Sequence, residues 1–358
     1  MQTDETLKAG ALDLLKKLIS RPSFSKEEGE TADLIEEFFR ERNIPFSRFL
    51  DNVWSRNQFF DKSKPTVLLN SHHDTVKPSA AYTRDPFTPI VEDGKLFGLG
   101  SNDAGGPLVA LMAAYEHFYY RSDLPFNLIL AATAEEEISG KNGIEALLKE
   151  MPPIDFGIVG EPTSLDLAVA EKGLMVLDCV VKGRAGHAAR EEGENAIYKA
   201  MPDMEWFKNY EFSKESETLG KMKMSLTVIE AGSQHNVVPD ECRFTVDVRV
   251  TDSYTLEEAL EIIEANIQCE VKPRSVRLRS SGIAKDHPLY LAAMELNLKP
   301  YGSPTLSDQA LMPFETVKLG PGDSARSHTA DEFIYLQELY QGIGIYVSLL
   351  ERLVRTLK

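Results

Sequence analysis

Apolar residues recur along this chain at more than one period, and the changes of period divide it. "TLKAGALDLLKKLI" (6–19) and "GETADLIEEFFRERNI" (29–44) set Leu, Ile and Phe three and four residues apart, which predicts two amphipathic helices. "PTVLLNSH" (65–72), the apolar part of "FNLILAATAEEE" (126–137) and "FGIVGEPT" (156–163) are short continuous apolar runs and predict buried strands. Between them, "GPLVALMAAYEHFYY" (106–120), with its Gly-Pro start, and "GIEALLKEM" (143–151) predict helices. Strands buried on both faces and alternating with helices imply a mostly parallel sheet flanked by helices.

Near Ala170 the rhythm changes. "GLMVLDCVVKG" is a strand, "AREEGENAIYKAMPDMEWFKNY" a helix, "KMSLTVIEA" and "CRFTVDVRV" two strands, "TLEEALEIIEANI" a helix and "EVKPRSVRLRS" a last strand. That β-α-β-β-α-β order is the split βαβ unit of a ferredoxin-like domain. After about Ile283 the first pattern resumes, with a helix near 287–297, a strand at "TVKLGPG" and a long helix from about 331 to 357. The expected fold class is therefore α/β: one domain from 1–170 and 284–358, interrupted by an inserted α+β domain at 171–283. A length of 358 residues favours two cores on its own account. No internal repeat or low-complexity segment is visible.

Charge narrows the partners. A net charge of −17 argues against nucleic acid or an anionic membrane surface, since phosphate binding requires clustered Lys and Arg. The N-terminal "MQTDETLKAGALDLLKKLIS" lacks the features of a secretory signal, and no run of 18 apolar residues would span a membrane. Cys179, Cys242 and Cys269 are odd in number and widely spaced, so they suggest neither a disulfide framework nor a CxxC metal site. A reducing cytoplasm fits best, and any metal must be held by His, Asp and Glu.

The candidate chemistry gathers at strand ends. In open parallel sheets, ligands bind beyond the carboxyl ends of the strands. His72 and Asp74 stand there in "LLNSHHDTV", Asp103 lies in "GLGSNDAGG", Glu135–Glu137 close "TAEEE", and Glu161 follows the strand in "VGEPT". His328, in "GPGDSARSHTADE", follows the last strand. So many carboxylates at close range would repel and force some to protonate; two divalent cations remove that difficulty. Imidazole with carboxylate is an ordinary zinc donor set.

Taken in order, these motifs resemble the dinuclear zinc aminoacylase/carboxypeptidase family (M20-type metallopeptidases), which contains acetylornithine deacetylase, succinyl-diaminopimelate desuccinylase and bacterial carboxypeptidase G. They are H-x-D-x-V at His72–Val76, G-x-G-x-x-D at Gly98–Asp103, an acid-Glu-Glu at Glu135–Glu137, G-E-P-T at Gly160–Thr163, and a late His at His328. The resemblance covers essentially the whole chain. It implies that His72 and Glu161 bind one zinc, Glu137 and His328 a second, and that Asp103 bridges both, with cobalt or manganese as alternative metals. It also implies that Asp74 accepts the free imidazole N–H of His72 and that Glu136 is the general base. Two positions depart from the common pattern: Ala104 follows Asp103 where many members have Lys, and Leu99 stands where many have Arg. Leu99, together with a compact lid, makes the acetylornithine deacetylase group the nearest resemblance.

The implied activity is amide hydrolysis by a metal-activated water, with N-acetylornithine or a relative such as an acylated citrulline or lysine as the small-molecule substrate. The resemblance also gives His187, in "KGRAGHAAR", a role at the oxyanion, often across a homodimer built through the inserted domain. Asn236 and Arg249 would hold the substrate α-carboxylate, for which a guanidinium fork is well shaped. Asp308, with Ser307, is a candidate for the side-chain pocket. Desuccinylation is the alternative, with Arg326 as the extra cation; a dipeptidase or carboxypeptidase is a third enzyme reading, and a metal-free binding homologue stands outside the class. His73, His117 and His287 are read as structural.

Overall fold

The structure is a computed structural model that describes residues 4–190 and 192–357. The chain divides into two compact units, one of residues 1–170, 282–301 and 307–358, the other of 171–281 with 302–306.

In the first unit the continuous apolar runs become the centre of a sheet. Thr66–His72 and Asn127–Thr133 lie parallel, with His72 level with Thr133, and every residue of both strands is buried. Phe156–Val159 and Glu315–Lys318 extend the parallel core. Alternate side chains enter different cores. Val67, Leu69, Leu128 and Leu130 meet the helices Asp4–Ile19, Gly29–Glu41, Gly106–Phe118 and Leu336–Thr356, whereas Leu68, Ile129 and Ala131 pack with Ile144, Leu147 and Met151. This two-sided burial is why these strands read as unbroken hydrophobic runs rather than as alternation.

Around that parallel centre the sheet is mixed. Asn52–Arg56 joins Asn127–Thr133 antiparallel and carries the short hairpin strand Ser47–Phe49, and on the other side Leu167–Glu171 runs antiparallel to Glu315–Lys318. These outer strands are three to five residues long and carry little periodicity. Several helices are shorter than expected, three of them markedly. "GIEALLKEM" gives only Ile144–Leu147, and the helix expected from residue 189 runs Ala196–Asn209, capped by the Asn195 side chain (Glu191 lies outside the described residues). The last helix begins at Leu336, because Phe333–Tyr335 is instead a strand paired with Lys95–Phe97. Among the described residues no helix is long and apolar enough to cross a membrane.

The second unit has its own four-stranded sheet, ordered Lys223–Ala231, Glu241–Val250, Gly173–Lys182, Glu270–Pro273, with antiparallel neighbours throughout. The helices Ala196–Asn209 and Leu256–Glu264 pack with the inward residues Met175, Leu177, Phe244, Val246 and Val248 around one core. This is the strand order of a split βαβ unit.

Candidate metal centre

Five segments of the first unit deliver acids or imidazoles to one place. His72 is the last residue of its strand and is buried. Its Nδ1 lies 2.9 Å from the backbone carbonyl of Asp74 and 3.4 Å from the Asp74 carboxylate, so the nearer acceptor of the imidazole N–H is main chain rather than the expected side chain. Nε2 thereby faces the cluster, 3.3 Å from Asp103 Oδ1, 3.7 Å from Glu161 Oε1 and 3.8 Å from Glu136 Oε2. His328 approaches from the opposite side, with Nε2 3.0 and 3.2 Å from the two Glu137 oxygens and 3.8 Å from Asp103 Oδ2. Asp103 thus turns one oxygen toward each histidine.

The Asp74 carboxylate does other work. It accepts the hydroxyl of Ser25 at 2.7 Å and the backbone N–H groups of Glu136 and Glu137 at 3.0 and 3.1 Å. It therefore fixes the turn that presents those two acids. Glu135 is tied into the same loop: its N–H donates to Glu28, and its carboxylate accepts from Asn142. Of the three consecutive acids, Glu136 and Glu137 face the imidazoles.

The Asp103 turn is held just as closely. Glu332, buried, accepts the N–H groups of Gly100, Asn102 and Asp103 at 3.1, 2.8 and 2.9 Å. Gly100 adopts φ 75°, and a Cβ there would meet Thr75 Cγ2 at 2.7 Å, so the turn requires glycine. Neither Ser25 nor Glu332 stands out in the sequence; the acid pair Asp331-Glu332, three and four residues past His328, is the one available signal.

The electrostatics are those of a crowded acid cluster. Burial, reinforced by Glu161, Asp308 and Glu137, holds the Glu136 carboxyl well above its ordinary range against the pull of His72. Burial, with Asp103 and Glu137, pushes Glu161 up to about 8, opposed by His72 and Lys318. Burial and Asp103 likewise raise Glu332 to about 8, against its three N–H donors. Burial opposes charge on His72, yet Glu136, Asp103, Asp74 and Glu161 outweigh it and keep the imidazole protonated well above its usual range. The hydrogen bond to Glu137 lifts His328 to about 9. Side chains that repel when charged and retain protons when buried are a poor resting arrangement for protein alone. A dication among them takes the place of those protons. Two overlapping groups, His72–Asp103–Glu137 and His72–Glu136–Glu161, bring their donor atoms within 4.8 Å of one another and could each hold a metal ion. Oxygen and imidazole donors in this mixture suit a divalent cation.

The remaining sequence candidates belong to the second unit or are engaged by other partners. Asp308 is buried, accepting from Thr133 Oγ1 at 2.7 Å and Asn70 Nδ2 at 2.9 Å, and burial raises it to about 6. His187, Asn236 and Arg249 belong to the second unit. His187 and Asn236 are exposed, His187 Nδ1 accepts from the Ala189 N–H, and Arg249 forms two bonds to Asp247. Arg326 grips Glu338 with bonds of 2.8 and 2.9 Å and lies over the rings of Phe333 and Tyr335. His73 is spanned by Thr31 and the Asp51 carbonyl, and burial lowers it to about 4. His287 caps the helix Pro288–Glu295.

An open α/β sheet with a carboxylate–imidazole cluster beyond its strand ends is the architecture of a metal-dependent hydrolase. The chain belongs to peptidase family M20/M25/M40, whose model matches residues 68–352, and is an enzyme of that hydrolase family acting on amide bonds. Two similar proteins are both named [LysW]-lysine/[LysW]-ornithine hydrolase. The one from Sulfurisphaera tokodaii is 26% identical over 358 residues, covering 95% of each chain; the one from Saccharolobus solfataricus is 27% identical over 366 residues, covering 99% of each. Among solved structures, an M20 family metallo-carboxypeptidase from Sulfolobus solfataricus matches with a TM-score of 0.77 at 16% identity, over 96% of this chain and 99% of that one.

Proposed function

We propose that the enzyme cleaves the amide joining an acyl group to an amino group of ornithine or lysine, with two divalent cations, zinc first among them, held at the cluster. The observation that carries this reading is Asp103, whose two carboxylate oxygens turn toward the two histidines. In the proposal His72 and Glu161 hold one ion, Glu137 and His328 the other, and Asp103 serves both. Such ions, when bound, polarise a carbonyl and lower the pKa of a water molecule to about 7.

The chain's own groups then divide the work. The resemblance assigns proton transfer to Glu136. Its carboxylate takes the proton of the attacking water and hands it to the departing amine. A carboxylate beside the reacting carbonyl can serve as base in the first half of that exchange and as acid in the second. Asp74 keeps Glu136 and Glu137 in place through their N–H groups. From the second unit, the resemblance assigns His187 to the oxyanion and Asn236 and Arg249 to the substrate carboxylate. Asp308 fits better as a buried support beneath Thr133 and Asn70 than as an open contact for a cationic side chain.

The names of the two relatives support ornithine or lysine as the amine product. For the acyl side, acetyl is the simplest group and the conjugate in those names the alternative. Desuccinylation loses its main support, because Arg326 is already paired with Glu338. Homodimerisation through the second unit is part of the proposal. Among the described residues the strand Lys223–Ala231 is an edge of its sheet, and Val228 and Ile229 on it are exposed.

The test is a panel of N-acetyl, N-succinyl and [LysW]-conjugated ornithine and lysine, N-acetylcitrulline and simple dipeptides, ranked by kcat/KM before and after metal removal. The expected result is EDTA-sensitive cleavage with ornithine or lysine conjugates ahead. Equal or better turnover of succinyl amino acids or dipeptides overturns the substrate assignment, and hydrolysis that survives complete metal removal overturns the mechanism.

A further inference from the structure

We infer that Glu332 is a positioning residue of the metal centre, setting the geometry of Asp103 and His328 together. The inference rests on the function proposed above.

Three observations carry it. First, Glu332 is almost fully buried, and its two carboxylate oxygens accept three backbone N–H groups within four residues: Gly100 at 3.1 Å, Asn102 at 2.8 Å and Asp103 at 2.9 Å. Its own carbonyl accepts the Gly98 N–H at 3.0 Å, so one residue engages the turn from Gly98 to Asp103 four times. Second, the turn's own main-chain bonds, Ser101 N–H to Gly98 and Gly105 N–H to Gly100, leave the N–H groups of Gly100, Asn102 and Asp103 to Glu332. Gly98 and Gly100 both have positive φ, and Asp103 and Ala104 depart from helical geometry, so regular main-chain bonding does not fix the direction of the Asp103 side chain. Third, Glu332 lies four residues after His328, on a segment secured at both ends. Asp331 binds the N–H groups of Thr83 and Arg84 and the Thr83 hydroxyl, and Arg326 binds Glu338. His328 and Asp331 are themselves held at positive φ. Through Glu332, the segment carrying one proposed ligand is bolted to the turn carrying another.

A carboxylate suits this task because it accepts along several directions from two oxygens, whereas an amide offers one accepting oxygen and opposes a donor with its NH2 group. Outer partners of metal ligands typically change metal affinity or activity by about 10–100-fold when removed. Glu332→Ala is therefore expected to fall in that range and Glu332→Gln to lie between it and the parent. Asp331→Asn, which loosens the same segment without touching the Asp103 turn, should stay within about threefold of the parent.

The experiment uses the full chain stripped with EDTA and titrated with Co2+, read by visible absorption, together with amide hydrogen exchange of the metal-free protein. The parent should bind two equivalents. Glu332→Ala should keep its overall fold by circular dichroism, exchange the Gly100, Asn102 and Asp103 amides at least tenfold faster, and bind Co2+ at least tenfold more weakly. With substrate, its loss should appear in kcat more than in KM. Parent-like exchange and Co2+ affinity in Glu332→Ala overturns the inference, as does an equal loss in Asp331→Asn, which would reduce Glu332 to general support of the segment. Should Glu332→Ala fail to fold, Glu332→Gln decides the matter by the same readings. A parent that binds no Co2+ refutes the metal centre itself, an outcome distinct from failure of the Glu332 role.

Discussion

Replacing Asp74 by Asn tests how the centre is built. The substitution keeps size and shape but exchanges one carboxylate oxygen for an NH2 group. In the structure Oδ1 accepts the Glu136 N–H at 3.0 Å and faces His72 Nδ1 at 3.4 Å, while Oδ2 accepts the Ser25 hydroxyl at 2.7 Å and the Glu137 N–H at 3.1 Å. Whichever way the amide turns, one backbone N–H loses its acceptor and meets a donor. A donor stranded in so buried a place costs about 1–3 kcal/mol, so Asp74→Asn should lower the stability of the metal-free chain by about 2 kcal/mol. Because the stranded N–H belongs to Glu136 or Glu137, turnover should also fall by about 10–100-fold. Ser25→Ala is the control: it removes one partner, leaves both N–H groups satisfied, and should cost about 1 kcal/mol or less. Urea unfolding and steady-state kinetics on the three proteins decide the matter. An Asp74→Asn chain with the parent's urea midpoint and kcat would refute the view that this carboxylate holds the acidic turn.

Glu136→Gln should retain bound metal but lose about 10²–10⁴-fold in kcat, measured with metal content determined on the same sample. The metal-free chain should become less stable as pH rises from 6.5 to 9. His328 titrates at about 9 when folded against 6.5 as its ordinary value, and Glu161 at about 8 against 4.5, so both contributions are complete at low pH and disappear as pH climbs through the folded values. Melting temperatures that hold steady or increase over this interval would contradict the cluster electrostatics. The same protons must leave when a metal enters, so Co2+ affinity should strengthen with pH, with proton release visible by calorimetry in two buffers. Gly100→Ala, which forces a side chain into φ 75° against Thr75, should destabilise by about 1–3 kcal/mol in thermal unfolding and weaken metal binding with it.

Much of this was legible in the sequence because burial on both faces leaves a plain mark. Thr66–His72 and Asn127–Thr133 are buried throughout and carry the runs Val67–Leu69 and Leu128–Ala132, so the central strands and the residues at their ends are marked in the sequence itself. The outer strands Ser47–Phe49 and Asn52–Arg56 were not visible: their pairing depends on a neighbour already in position, and three to five residues hold too little pattern. Phe333–Tyr335 was read as helix for a related reason, since its strand character comes from Lys95–Phe97, far away in the chain. In the site, the residues whose side chains meet the cluster belong to recognisable motifs, as does Asp74 beside them, whereas Glu332 and Ser25, which brace those motifs from other parts of the chain, do not. Glu332 and Ser25 reach their partners only through the folded chain, and the preference of His72 for a carbonyl over a carboxylate is a matter of half an ångström. Arg326 shows the converse. Its position suggested a free cation, but Glu338, twelve residues on, had already claimed it.

The place where the second unit interrupts the first bears on how the protein is made. Residues 171–281 come off the ribosome after His72, Asp103, Glu137 and Glu161 but before the strand Glu315–Lys318 and His328. At about 5–20 residues per second, the wait for the last imidazole is on the order of ten seconds or more. Throughout that interval the nascent chain holds His72, Asp103, Glu136, Glu137 and Glu161 without His328, while the interrupting unit can complete its own four-stranded sheet. If the centre binds metal as proposed, a cation met then would lack the His328 ligand and be free to exchange, so which ion is kept would be decided only after translation has passed His328.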